Sequence, residues 1–596
     1  MPSTSHTGPL TKIYHWCRRR RAALSWGVVA VSAVMTLVLG VIGFTGLNEE
    51  PLPISTRIYL AVQLITLESG AVVEQSQVSW SLELARWAGA VTSLGTILNT
   101  LLAVFAQRIH RFLLRRISEH AVIIGAGQSG TQLATDLLAD GYRVTVIESD
   151  DGNPTVAALV ERGIGEVIGD ARELQMLEAA AVHNAEIVVV VAGSDTRNLE
   201  IVSAVGQASR KRNRHASPLR CYVHIADERL GRLYERRLNH GLTPLPLETS
   251  FFNRFTNSAR LLLAETPLDR ERIVPGDDRQ VHLVIVDLSP LGEALLKQAL
   301  AIGHYANNVP LAVTVIDESA SRKEQSLLVR IPELHQCADL TFVDGCMEQE
   351  SVRKNLKELL NNPQQMTSVA FCQEDAQSAL TGCMDLIPLL TGFNKTVFVN
   401  LAEDERAATS LNISQDEPIR LIPFGNSEVA CSTQAVVHRD LDILAKKIHN
   451  KYRAKRTRDG DSEQDYPAMR PWEQLDGELR DTNRQQADHI PVKLRALGCR
   501  MLAGSGEAGD FRLSDDEIEA LAKTEHRRWC ASRRLAGWSF ASARNNVAKL
   551  HPDLVSWEEL DESTRDYDRE PVRNLATLLA TIGFRIEKTD MQPCDL

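Results

Sequence analysis

At 596 residues the chain has room for about three to five domains. Its formal net charge of −11 gives no basic face for a nucleic-acid partner, so none is expected. Ten cysteines occur without a single CxxC pair, which argues against a zinc ribbon, a dithiol site or a disulfide framework.

The first 110 residues differ from the rest. A basic stretch, 1–23, carries Lys12 and Arg18 to Arg21 and no acid. Two runs without a charged residue follow, Leu24 to Leu47 and Trp87 to Gln107. At ~1.5 Å per helical residue each is long enough for a ~30 Å hydrocarbon layer, which predicts spanning helices over 24–47 and 86–107. The first run is too long for the apolar core of a signal peptide, and no small-residue cleavage site follows it. Arg108, Arg111, Arg115 and Arg116 follow the second run, while Glu49, Glu50, Glu68, Glu74 and Glu83 lie between the two. Basic flanks stay inside, so both termini are expected in the cytoplasm of a multi-pass protein of the inner (cytoplasmic) membrane. The segment 48–85 would then face outward. Within it, Ser55 to Ile65 reads as a short apolar helix with Ser55 as N-cap. The apolar stretch Ile58 to Leu67 would be costly on an exposed loop, which favours a segment that dips into the bilayer.

Beyond a tether, 108–118, the pattern becomes α/β. Ala121 to Ile124 reads as a buried strand running into Gly125-x-Gly127-x-x-Gly130. A helix over Thr131 to Ala139 and a second strand over Arg143 to Ile147 follow, closed by Glu148. Glycines at these positions allow a tight turn and close approach of a pyrophosphate to a helix N-terminus, and the acid reaches ribose hydroxyls. Gly169-Asp170-Ala171, a strand at Ile187 to Val191 and Gly193-Ser194-Asp195 come next.

GAGQSG, the GDA after a third strand and VVVVAGSDTRNL together resemble the N-terminal lobe of RCK domains, the regulators of K⁺ conductance, over about residues 119 to 245. The resemblance implies a nucleotide, NAD(H) or an adenine nucleotide, at Gly125, Gly127, Gly130, Glu148, Asp170 and Asp195, with Asp170 on the adenine side. It also implies that ligand-driven rearrangement pulls on a neighbouring pore helix. The first Rossmann-like unit is assigned to 119–265.

A second such unit is expected over 279–425, from VHLVIVDLSPLGEALLKQALAIGH and the strand ending at Asp317. Its turn reads Asp287-x-Ser289-x-x-Gly292, and a side chain at the second position blocks pyrophosphate approach. This unit is read as a structural copy.

A further repeat lies near the C-terminus. LAKKIHNKY (444–452) aligns with LAKTEHRRW (521–529), PWEQLDGELRDTNRQ (471–485) with SWEELDESTRDYDRE (556–570), and KLRALGC (493–499) with LLATIGF (578–584). Each copy is expected to be helical and to end a helix at a glycine, Gly498 or Gly583. The second copy is similar to the RyR repeat, a module named from ryanodine receptors. An all-α pair is therefore predicted, 438–500 and 515–590, joined by a linker at 501–514. His526, Trp529, Arg533, Trp538 and His551 define a possible pocket for a small anionic ligand held by arginine and stacking, or else a satisfied core.

Two spans followed by a tethered RCK-like unit resemble the layout of two-span K⁺ channels, in which a short helix precedes an extended filter. The resemblance implies a homotetramer embedded in lipid, with a monovalent cation in the pore and a small-molecule ligand on the cytosolic units. The filter position holds Thr66, Leu67, Glu68, Ser69 and Gly70, and only Thr66 and Gly70 fit the family's TVGYG. A ring of Glu68 carboxylates would favour cations with weaker discrimination. No catalytic or metal-ligating constellation is found, so no enzyme is expected. The alternative is a membrane-anchored sensor or scaffold that conducts nothing.

Overall fold

The computed structural model describes residues 9–46, 52–68, 78–114, 119–212, 217–239, 246–390, 395–401, 419–463, 466–504 and 511–588. Two compact units emerge. One comprises Met1–Gly193, Leu199–Cys221 and Leu245–Glu248, the other Ser194–Asn198, Tyr222–Pro244 and Thr249–Leu596.

The first unit begins with two long helices, Pro9–Gly43 and Trp80–Leu114, packed against each other. Among the described residues, Ser25–Gly43 is the one stretch long and apolar enough by composition to cross a membrane. The short helix expected between the two forms at Ile54–Gln63 and packs on the first. Ser55 does not cap it. Pro53 occupies the N-cap position at φ −55°, and its ring, which has no acceptor atom, makes no side-chain cap. Leu64, at the end of this helix, is buried with Phe44, Leu82 and Ala85. A Cβ on Gly89 would stand 2.4 Å from the Leu64 carbonyl oxygen, so only glycine lets the second long helix approach here. The Ser93 hydroxyl donates to the Ile65 carbonyl at the same contact. Val28, Val31, Val34 and Val38 of one long helix and Val91, Leu94, Ile97, Leu98 and Leu101 of the other remain exposed.

Both expected Rossmann-like sheets are present, each six-stranded. The first comprises β1 (Ala121–Ile124), β2 (Val144–Glu148), β3 (Gly165–Ile168), β4 (Ile187–Val190), β5 (Leu219–His224) and β6 (Leu247–Phe252), ordered β3-β2-β1-β4-β5-β6. β1 and β4 are buried throughout, as central parallel strands covered on both faces must be. The second comprises β7 (Gln280–Val286), β8 (Ala312–Asp317), β9 (Asp339–Asp344), β10 (Gln365–Phe371), β11 (Lys395–Asn400) and β12 (Ile419–Phe424), ordered β12-β11-β10-β7-β8-β9. The two orders are the same doubly wound pattern, reversing beside the first strand of each unit, where ligands of such sheets bind.

The C-terminal pair is not all helical. Gly498 (φ 66°) and Gly583 (φ 77°) end helices in the left-handed region as expected, but each leads into a strand. β13 (Cys499–Ala503) and β16 (Phe584–Lys588) pair antiparallel, so each repeat contributes one strand to a shared ribbon. Two short strands, β14 (Ser539–Phe540) and β15 (Leu550–His551), close the longer repeat. A buried charge cluster also joins the repeats: Lys493 lies 2.5 Å from Glu525, which Arg528 holds at 2.9 Å.

Candidate functional site

The Gly-rich turn is built by steric necessity. Gly125 has φ +101°, and a Cβ there would meet the Val191 carbonyl oxygen at 2.8 Å. A Cβ on Gly130 would lie 1.9 Å from the Gly125 carbonyl oxygen. Gly127 differs: nothing stands within 4 Å of its Cβ position. Its backbone caps the helix Gln128–Ala139 without any side chain on the free N–H groups. The result is an open helix N-terminus at the carboxyl end of a parallel sheet, suited to a phosphate.

Glu148 closes this turn. Its Oε2 accepts from the Ala126 N–H at 2.7 Å, and Oε1 from the N–H groups of Ser149 (2.6 Å) and Asp150 (3.1 Å). Burial opposes its charge, but these backbone donors outweigh burial and hold the carboxyl below its ordinary range. Gly169 N–H donates to the Glu148 carbonyl at 2.8 Å, which brings Asp170 to the same end of the sheet. The Asp170 carboxylate is forked by Arg172, which also reaches Glu200 at 3.1 Å. Asp195 is likewise held by backbone donors. Its two oxygens accept from Ala226 and Asp227 N–H at 2.8 Å each, so it secures the segment after β5.

The second unit's turn is closed by its own side chains. The Ser289 hydroxyl accepts from Gly292 N–H at 3.2 Å and donates to the Cys372 carbonyl at 2.5 Å. Lys323 bonds Asp317 and lies 3.6 Å from Asp287. The serine stands where a phosphate would need bare backbone.

At the outer segment, Thr66, Leu67 and Glu68 follow the short helix and are exposed, with Leu67 in the left-handed region at φ 64°. Ser69 and Gly70 lie outside the described residues, as do side chains 102–118, which include the tether.

The second repeat gathers all five expected side chains. The helix Asp515–Leu535 carries His526, Trp529 and Arg533 on one face; its start is fixed by a capping box of Ser514 and Glu517. His526 stacks on Trp529 with centroids 5.9 Å apart, while Trp529 and Trp538 meet His551 edge-on at 5.0 and 6.0 Å. His526 itself is satisfied, by Asp568 at 3.1 Å on Nδ1 and the Val555 carbonyl at 2.9 Å on Nε2. The Arg533 guanidinium lies 5.7 Å from the Trp529 ring and 5.5 Å from Trp538. Burial pushes its pKa down, with Glu478 opposing.

Two members of this cluster had no sequence signal. Glu478, from the first repeat, accepts from the Trp538 indole N–H and lies 2.9 Å from Lys549 and 3.8 Å from Arg533. Lys549 also bonds the Ala536 carbonyl at 2.5 Å. Both were hidden because the contact joins two repeats, and Lys549 sits on the segment the first repeat lacks.

Residues 121–236 match the TrkA-N domain model, and residues 513–588 match the RyR domain model. A curated relative, the Trk system potassium uptake protein TrkA homolog of Methanothermobacter thermautotrophicus, is 36% identical over 80 residues. That alignment covers 13% of this chain and spans only 37% of the relative's length. Similar solved structures include GsuK bound to ADP, at 15% identity and TM-score 0.37, covering 69% of this chain and 98% of that one. The GsuK channel bound to NAD is 13% identical at TM-score 0.36, covering 72% and 86%.

Proposed function

We propose that the chain is a subunit of a membrane channel for monovalent cations, potassium among them, controlled by a nucleotide at the turn Gly125–Gly130. The observation that carries this is the seating of the helix Ile54–Gln63. It is packed inward through Leu64 and Ile65 against both long helices, as a re-entrant segment is and an outer loop is not. The exposed valines and leucines of those helices suit lipid and neighbouring copies. Both termini are cytoplasmic in this reading, and four copies surround one passage.

The TrkA-N match begins at the first strand after the second long helix, which supports potassium transport as the context. The open N-terminus at Gly127 supports the nucleotide, NAD(H) or an adenine nucleotide, with Glu148 set to meet ribose. In this reading the nucleotide acts as ligand rather than reactant. A ligand-dependent equilibrium of this kind typically carries about 1–3 kcal/mol of coupling. The second repeat's aromatic–arginine pocket is a further site for a small anion in the same reading. Glu68, exposed after the short helix, is proposed to line the entrance.

Planar-bilayer recording of the purified chain, with ADP or NADH on the side of the TrkA-N domain, tests this. Cation currents that respond to nucleotide, with conductance or cation preference altered by Glu68→Gln, are expected. Intact tetramers that bind nucleotide and pass no current would instead mark a membrane-anchored sensor.

A further inference from the structure

The aromatic–arginine cluster of the second repeat is packed around an anion that belongs to the chain itself. The carboxylate of Glu478 takes the indole N–H of Trp538, the ammonium of Lys549 and the edge of the Arg533 guanidinium. These are three cationic or N–H donors converging on one carboxylate, beside the faces of Trp529 and Trp538. Such donor sets recognise phosphate and carboxylate alike. We propose that Glu478 is an internal stand-in for a small anionic ligand of nucleotide type, and that ligand enters the second repeat's pocket by displacing it.

Three observations support displacement over a permanent seal. Arg533 is imperfectly satisfied by Glu478: the ion pair is 3.8 Å long, and Nε is buried without any hydrogen-bond partner. A buried, half-used guanidinium favours a better acceptor. Lys549 is the most exposed donor, at 38%, and marks an entrance beside the plug. Glu478 stands in the first turn of the helix Gly477–Asp488, where only the Asp476 cap holds its backbone N–H, at 3.0 Å.

Displacement has a route outward. The same helix carries Arg480 against Glu235, Asp481 near Arg232 and Arg484 against Asp442. Glu235 and Arg232 belong to the helix Glu228–Asn239, which follows β5 of the first Rossmann-like sheet. These pairs line a cleft of about 120 Å³ between the first repeat and that helix. Moving Glu478 out of the pocket shifts the first turn that positions Arg480 and Asp481. Ligand in the second repeat thereby acts on the TrkA-N domain through ion pairs already in place.

This inference rests on the anion-pocket reading, and its test separates the two. The full chain carries Gly127→Asp to silence the Gly-rich turn, and ADP and inorganic pyrophosphate are titrated by calorimetry. Glu478→Ala is expected to tighten ADP binding about tenfold, with Glu478→Gln in the same direction. Arg533→Ala added to either should abolish it. Pyrophosphate, with no ring to stack, should bind more weakly but gain from the same substitutions. ADP should also speed amide exchange at the start of the helix Gly477–Asp488 in the Gly127→Asp protein with Glu478 intact. Equal ADP affinity with and without Glu478, still lost with Arg533→Ala, would keep the pocket and overturn the stand-in. No binding in any variant, with melting temperatures preserved, would overturn the pocket and the inference together.

Discussion

The carbonyl oxygen of Gly125 occupies the space a Cβ on Gly130 would need, 1.9 Å from its ideal position. The second unit repeats the relationship between Asp287 and Gly292, at 2.4 Å. In both sheets the third position of the turn sets how closely the helix approaches the strand. The second position alone decides whether a phosphate can enter.

The two glycines therefore fail differently. Gly130→Ala forces backbone against backbone and should destabilise the first unit by about 1–3 kcal/mol. Gly127→Asp meets nothing within 4 Å at its Cβ and should melt like the parent. Its carboxylate would nonetheless repel a phosphate, so ADP or NADH affinity at this turn should fall at least tenfold. Thermal melting and calorimetry on both variants check this; parallel losses of stability and binding would show that Gly127 is structural.

The second unit should bind no nucleotide. Ser289 caps its helix from within, and Ser289→Ala should cost about 1 kcal/mol, the usual value of an N-cap. Nucleotide stoichiometry at the Rossmann turns should stay at one per chain in both forms. A second equivalent that disappears with Gly292 substitution rather than Gly127 substitution would overturn the structural-copy assignment.

What was legible in the sequence was local. The turn GAGQSG, the strand–helix alternation and the glycine C-caps each depend on a few neighbouring residues, and all three appear where expected. Asp195 fits the loop pattern too, but its bonds to the Ala226 and Asp227 N–H groups were not legible, because they exist only once β5 has ended beside it. β13 and β16 escaped notice for a related reason. Each is five residues long, and each is a strand because the other repeat supplies its partner. Glu478 reads from sequence as one more solvated acid on a helix. Only the packing of one repeat on the other gives it Trp538, Lys549 and Arg533.

Gly89 offers a test of the proposed re-entrant segment. Valine there would push against the Leu64 carbonyl, 2.4 Å from its Cβ, and drive the short helix away from the second long helix. Oligomeric state and nucleotide affinity should survive Gly89→Val, since a Cβ there meets Leu64 and Ile65 and no residue of the Gly-rich turn. Cation current should fall at least tenfold. Chromatography, calorimetry and bilayer recording separate these outcomes, and unchanged current would remove the Ile54–Gln63 helix from the conduction path.

His526 and Asp568 give the second repeat a defined pH response. Burial alone would lower the histidine's pKa, but the Asp568 carboxylate at 3.1 Å from Nδ1, together with the Cys530 sulfur, outweighs it and raises the pKa to about 10. Burial pushes the Asp568 carboxyl up as well, against the lowering effect of its hydrogen bond with His526. A folded-state pKa above the ordinary 6.5 means that the folded chain keeps a proton the unfolded chain has released. The stabilisation is complete below about 6.5 and is lost as pH rises through about 10. Asp568→Asn removes the carboxylate and should cost about 1.5–3 kcal/mol near pH 6.5, the range for a hydrogen bond to a charged group. The stability gap between parent and variant should then narrow steadily from pH 7 to pH 10. Denaturant melts of both proteins across that interval measure it, and a gap that does not change with pH would show that His526 is neutral in the folded state.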